Sequence, residues 1–255
     1  MELTFKTFLI VCPLVFLAGF VDAIGGGGGI ISLPAYLFAG LPPHMAIGTN
    51  KMSSTCGTAV ATVRLLLKNK VNRLLALFTV IAAIIGSSAG ARLSLLLNED
   101  VILYLMLIVL PICAFFVLNK KLFKDRPGEN DARNAKTYII AILSALIIGM
   151  YDGFYGPGTG TFLIIAFTVF AKMSLGAANA QAKIINLTTN ITALTVFIIN
   201  GQVLFLLGGA AALFNMAGNY LGAGLAIKKG SSIVRISIIA VLILLLIKVL
   251  FFRDI

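Results

Sequence analysis

Charge is what this chain has least of. Only 11% of its 255 residues are Asp, Glu, Lys or Arg, while 60% are hydrophobic. A soluble domain carries roughly 25% charged and about 45–50% apolar residues, so a water-soluble globule is excluded. Histidine is nearly absent, with His44 alone. The three cysteines, Cys12, Cys56 and Cys113, sit inside apolar runs at spacings that match no metal or redox motif. Without a Cys/His cluster no metal and no cofactor is expected, and the cysteines read as small apolar packing residues. Acidic residues number 9 against 20 basic, an excess that elsewhere would suggest nucleic acid. Here the basic residues fall in short gaps between apolar runs, as the positive-inside rule distributes them, so no nucleic-acid partner is expected.

The apolar runs lie at 8–24, 30–41, 45–67, 74–97, 101–118, 137–154, 160–171, 175–199, 203–227 and 233–252. Several reach the roughly 20 residues that carry a helix across a bilayer. The fold class is therefore an all-α integral membrane protein, and lipid is its first partner. Two breaks are glycine-rich, GGGGG at Gly25 to Gly29 and GPGTG at Gly156 to Gly160. The one long polar stretch, NKKLFKDRPGENDARNAK over 119–136, reads as a basic linker between an N-terminal unit, 1–118, and a C-terminal unit, 137–255.

Those units are copies of each other. Gly19, Asp22, Gly26 and Gly28 pair with Gly149, Asp152, Gly156 and Gly158 at an offset of 130. Ala46 and Lys51 pair with Ala178 and Lys183 at 132, and the same offset pairs Gly86, Gly90 and Ala91 with Gly218, Gly222 and Ala223. The repeat also bears on the start of the chain. Lys6 followed by an apolar run to Ala18 has the form of a signal peptide, but a cleaved leader would not be part of an internal duplication.

Orientation follows from Lys and Arg. With 119–136 cytoplasmic, the acidic turn at Glu99 and Asp100 is outside, the turn with Lys68, Lys70 and Arg73 is inside, and Pro42 to Met45 is outside. If 137–171 crossed once, Lys228, Lys229 and Arg235 would fall outside. If it dips in and returns as a broken hairpin, they fall inside with Lys172. Each half is then a Gly-broken helical hairpin plus three transmembrane helices. An odd number of crossings makes the two repeats inverted, a recurrent transporter plan. The alternative is eight simple spans in a parallel repeat.

Two pairs of ionisable residues lie within these runs. A charge at a helix centre costs roughly 2.5–3.5 kcal/mol on insertion scales, so its duplication asks for a reason. Asp22 and Asp152, just ahead of the Gly-rich breaks, are candidates for proton or ion coupling, or for capping backbone N–H groups freed there. Lys51 and Lys183 sit about two turns into their helices. Thr49, Asn50, Ser53, Ser54 and Thr58 surround the first, and Gln181, Asn186, Thr188, Thr189 and Asn190 the second. An ammonium among hydroxyl and amide groups suits a dehydrated oxyanion; equally, each Lys neutralises an Asp across the bundle. Gly26, Gly28, Gly156 and Gly158 let the backbone unwind and turn its N–H groups toward a ligand. A nucleotide loop is excluded, because no Gly-Lys-Ser/Thr follows and no strand precedes. Gly86-x-x-x-Gly90 and Gly218-x-x-x-Gly222 have the spacing of close helix contacts. His44, beside Pro42 and Pro43, reads as a loop residue.

GFVDAIGGGGGIISLP from Gly19, AIGTNK from Ala46, GSSAGA from Gly86, GMYDGFYGPGTG from Gly149 and AAxAxAKIINLTTN from Ala177 together resemble the TauE/SafE sulfite exporter family, also called the 4-toluene sulfonate uptake permease family. The resemblance covers nearly the whole chain. It implies a multi-spanning transporter of sulfur-containing anions such as sulfite or organosulfonates, often proposed to be proton-coupled. In the second copy Tyr155 replaces Gly25 and Pro157 replaces Gly27, so the two breaks need not be equally flexible. The expected function is secondary transport of a small anion in the cell (inner) membrane, by alternating access between the repeats. A channel-like pore is the second reading, a membrane enzyme is disfavoured, and a homodimer is left open. The substrate site is expected at Lys51, Lys183, Thr49, Asn50, Ser54, Gln181, Asn186, Asn190, Gly26, Gly28, Gly156 and Gly158, with Asp22 and Asp152 coupling.

Overall fold

The computed structural model describes residues 4–68, 71–118 and 134–226. Among them are nine α-helices and no strand. The chain opens with α1 (Phe5–Gly25) and α2 (Gly29–Phe38), then α3 (Pro43–Leu66), α4 (Arg73–Leu96) and α5 (Glu99–Leu118). The second half repeats the order with α6 (Ala135–Phe154), α7 (Thr159–Ile165, continued by a π-helical turn to Phe170), α8 (Leu175–Ile199) and α9 (Phe205–Ala226). The helix expected over 233–252, the basic turn at Lys228, Lys229 and Arg235, and residues 119–133 of the linker lie outside the described residues.

Each half begins with a long helix, a glycine break and a short helix. At the first break Gly26 adopts φ 79 and its N–H bonds the carbonyl of Asp22, a left-handed helix stop that glycine adopts without strain. At the second, Gly156 (φ 100) and Gly158 (φ 81) also take left-handed values, between the end of α6 and the start of α7. The long arms have 21 and 20 residues, enough to cross a bilayer by themselves. One expectation is corrected here. His44 is not a loop residue, because Pro43 occupies the first helical position of α3, where its missing N–H costs nothing. His44 is buried in that first turn, its Nε2 2.9 Å from the carbonyl of Ser94.

Large apolar side chains cover the outside as well as filling the core, unlike the surface of a water-soluble fold. Ile81, Ile84, Ile85, Ile108, Ile112 and Phe115 are exposed, whereas Thr49, Asn50, Lys51, Ser53, Thr58 and Thr62 of α3 are buried. Phe5–Gly25, Arg73–Leu96, Ala135–Phe154 and Leu175–Ile199 are long and apolar enough to be membrane spans. Lipid tails are as apolar as leucine, so packing and interhelical polar contacts must hold such helices together.

The halves supply those contacts to each other. On α4, a Cβ added at Gly86 or Gly90 would run into the backbone of Leu146 and Met150 on α6. On α9, one at Gly218 or Gly222 would run into Phe16 and Phe20 of α1. The G-x-x-x-G pair of each half is thus the seat of the other half's first helix. Between α3 and α8, Lys51 reaches Asn190 while Thr62 reaches the carbonyl of Lys183. Low numbers on one helix meet high numbers on the other, so α3 and α8 run antiparallel.

The seam gives a graded prediction. Gly90→Ala and Gly222→Ala each set a methyl against backbone and should cost about 1–3 kcal/mol through overpacking, lowering the melting temperature of detergent-purified protein. Gly209→Ala, whose new Cβ meets only the Cε of Met52 at 3.9 Å, should leave it unchanged.

Candidate functional site

The two glycine breaks meet. A Cβ on Gly26 would lie 2.5 Å from the Cα of Gly160, and one on Gly29 would lie 3.0 Å from the Cα of Pro157, so only glycine lets the tips approach this closely. Thr161 at the start of α7 donates from its hydroxyl to the carbonyl of Gly25 at 2.6 Å, tying one tip to the other.

Beneath the tips pass α3 and α8. Lys51 and Lys183 each lie eight residues past the first residue of their helix, about 12 Å along it at about 1.5 Å per residue. They are 2% and 1% exposed, and each faces the carboxylate of the other half. Lys51 Nζ is 3.0 Å from Asp152 Oδ2, and both side chains are 2% exposed. Lys183 Nζ is 2.6 Å from Asp22 Oδ2 and also donates to the Asp22 carbonyl at 2.7 Å. In place of capping backbone N–H groups, the aspartates neutralise lysines across the bundle. A buried pair of this kind adds little net stability, but removing one partner strands a charge at a cost of about 3–5 kcal/mol.

A cavity of about 30 Å³ opens between the tips, α3 and α8, room for about two water molecules. Ten of the residues singled out in the sequence line it: Asp22, Gly26, Gly28, Asn50, Lys51, Ser54, Asp152, Gly156, Asn186 and Asn190. A polar chain runs along one wall. Asn190 donates from Nδ2 to Asn186 Oδ1 at 3.2 Å and accepts from Lys51 Nζ on its own Oδ1 at 3.1 Å. Ser54 donates to Asn50 Oδ1 at 3.4 Å.

Four of the expected residues do not line the cavity. Lys183 points to Asp22. Thr49 accepts the N–H of Leu204 at 3.1 Å and so anchors the entry to α9. Gln181 donates to Thr79 Oγ1 at 2.7 Å. Gly158 forms the left-handed start of α7. Conversely, Ser32, Thr159 and Asn215 line the cavity and were not singled out. Thr159 donates from its hydroxyl to Asp152 Oδ1 at 2.7 Å. The available signal for Asn215 was an amide inside an apolar run, repeated at Asn219 in the same helix.

A family profile described as sulfite exporter TauE/SafE matches residues 11–249. The chain belongs to the TauE/SafE family. A Haemophilus influenzae relative named "Probable membrane transporter protein" is 35% identical over 224 residues, covering 86% of this chain and 85% of its own. Escherichia coli K12 "Probable membrane transporter protein YfcA" is 32% identical over 249 residues, 93% of this chain and 90% of the relative. The Sinorhizobium protein "Probable membrane transporter protein ORF9" is 32% identical over 251 residues, 98% and 94%. No solved structure gives a significant match. This TauE/SafE chain is a membrane transporter rather than an enzyme.

The geometry of the pairs ranks their variants. Lys51→Met strands the fully buried Asp152 and should lower thermal stability by about 3–5 kcal/mol, a loss that adding Asp152→Asn should largely restore. Lys183→Met should cost less, because the side chain of Asp22 is 14% exposed and keeps some hydration. Melting curves of the purified variants would test the order.

Proposed function

We propose that this TauE/SafE protein is a secondary transporter of a small sulfur-containing anion, sulfite or an organosulfonate, working by alternating access between two inverted halves. The observation that carries the reading is the crossed placement of Lys51 and Lys183, each buried against an aspartate of the opposite half beside the cavity between the glycine breaks. An oxyanion without its water requires positive charge and converging donors. Lys51, the amides of Asn50, Asn186 and Asn190, and the hydroxyl of Ser54 offer both at one cavity. The backbone N–H of Gly156 adds to that field, as broken helices do in other transporters, while that of Gly26 is engaged by the carbonyl of Asp22. Lys183 contributes charge, and Asp22 and Asp152 tune the field or carry a proton.

Inversion is supported by the antiparallel run of α3 against α8, which are equivalent helices of the repeat. With this inversion, the positive-inside rule favours the cytoplasmic side of the cell membrane for the basic sequence 119–136 and for the basic stretches 68–73 and 228–235. The family's description favours outward movement of sulfite.

Purified protein in liposomes should take up sulfite or a small sulfonate with saturable kinetics that respond to a pH gradient. Lys51→Ala and Lys183→Ala proteins should each lose at least tenfold in rate, with folding checked by their elution as single species. Wild-type rates in both variants would refute the site. Non-saturating flux indifferent to pH would replace the transporter with a pore.

A further inference from the structure

The two lysine–aspartate pairs are equivalent in the repeat, yet they are built differently. Lys183 holds Asp22 at two points, the carboxylate at 2.6 Å and the carbonyl at 2.7 Å, and it is not part of the cavity wall. Lys51 and Asp152 are both on that wall. Asp152 Oδ2 is 3.0 Å from the ammonium but accepts no aligned hydrogen bond, and Lys51 divides itself between this oxygen and the amide oxygen of Asn190. The other oxygen, Oδ1, is held by the hydroxyl of Thr159. One pair is therefore a two-point brace. The other is a carboxylate resting against a lysine through a single, poorly aligned contact on the cavity wall.

We propose that Asp152 is the resident anion of the site: an incoming monovalent oxyanion takes its place on Lys51 while Asp152 takes up one proton, and the Lys183–Asp22 pair stays closed. The inference rests on the anion-transport reading given above. Its warrant is charge balance. Lys51, Lys183, Asp22 and Asp152 sum to zero as they stand, and a buried monoanion added to them would leave one negative charge without a partner, which a low-dielectric site does not tolerate. One proton restores neutrality.

Asp152 is the carboxylate at which the exchange can occur, because its lysine stands on the cavity wall, whereas Asp22 is held at two points by a lysine off that wall. The new O–H of Asp152, formed on Oδ2, is then a donor beside the anion. The charged groups around Asp152 are Lys51 from α3, Asp22 from α1 on the same cavity, and Lys183 from α8, which is tied to Asp22. On its own helix, the hydroxyls of Tyr151 and Tyr155 are engaged elsewhere, donating to the carbonyls of Pro157 and Met106. Lys51 and Asp152 also belong to different halves. Exchanging Asp152 for the anion therefore releases one of the two charged ties between them while the other holds.

The test is calorimetric titration of the purified full chain with methanesulfonate, which stays a monoanion throughout the working range. Runs in two buffers of different ionisation enthalpy count the protons taken up per anion bound. The wild-type protein should take up one, and its Kd should weaken about tenfold per pH unit, the slope of a single linked proton. Asp152→Asn should bind with no proton uptake and no pH slope, whereas removing the other pair whole, by Asp22→Asn with Lys183→Met, leaves the charge balance unchanged and should still give uptake of one. Binding by the wild type without proton uptake would overturn the inference while leaving the anion site intact, and this measurement requires no variant to fold. Uptake kept by Asp152→Asn, or binding without uptake in the Asp22→Asn, Lys183→Met protein, would overturn it too. If neither methanesulfonate nor sulfite binds at all, the anion reading itself fails and the inference falls with it.

Discussion

A lysine carried to the middle of a membrane helix must keep a counter-charge, since neither lipid nor packed side chains solvate an ammonium. In this chain the duplicated lysines find that counter-charge in the opposite half. Lys51 of the first half faces Asp152 of the second, and Lys183 of the second faces Asp22 of the first. Within either half the lysine and the aspartate are not paired with each other, and each finds its partner across the interface. The pairing adds a polar tie to the close helix packing that joins the halves, since helix association within lipid has no hydrophobic driving force of its own.

The glycines make that crossing sterically possible. The aspartates sit just before chain breaks, where Gly26 and Gly156 take up left-handed φ values, and the tips can touch only because Gly26 and Gly160 have no side chains. A second set, on α4 and α9, lets α6 and α1 press backbone against backbone. Each half thus lends the other a small-residue seat and a charge. The cavity is what remains where the tips, α3 and α8 converge.

Much of this was legible in the sequence. The apolar run 8–24 became α1 (Phe5–Gly25) and the run 175–199 became α8 over the same limits, because long apolar segments have few alternatives to helix in lipid. The repeat marked Asp22, Asp152, Lys51 and Lys183 as special, but it did not choose between a lysine that meets an anion and one that meets an aspartate. That choice depends on how helices far apart in sequence cross. Helical geometry explains Thr49 and Gln181. Each lies two positions before its lysine, about 200° around the helix at about 3.6 residues per turn, and so faces a neighbouring helix instead of the cavity. Asn186 and Asn190, three and seven positions after Lys183, share its face. Asn215 was hidden for a different reason: its repeat partner is Ala83, so internal symmetry gave no sign of it.

The two halves are equivalent in plan and unequal in detail. Thr159, which holds Asp152, stands where the first half has Gly29, and Tyr155 and Pro157 stand where it has Gly25 and Gly27. Such differences let one crossed pair brace the halves while the other gives way. The most direct test of the account is a structure with a selenium- or bromine-labelled small sulfonate bound, located by its anomalous signal. The account places the label beside Lys51 Nζ at the glycine tips, with Asp152 drawn away from Lys51 and the Lys183–Asp22 contact kept. A label bound elsewhere, with the Lys51–Asp152 pair intact, would contradict it.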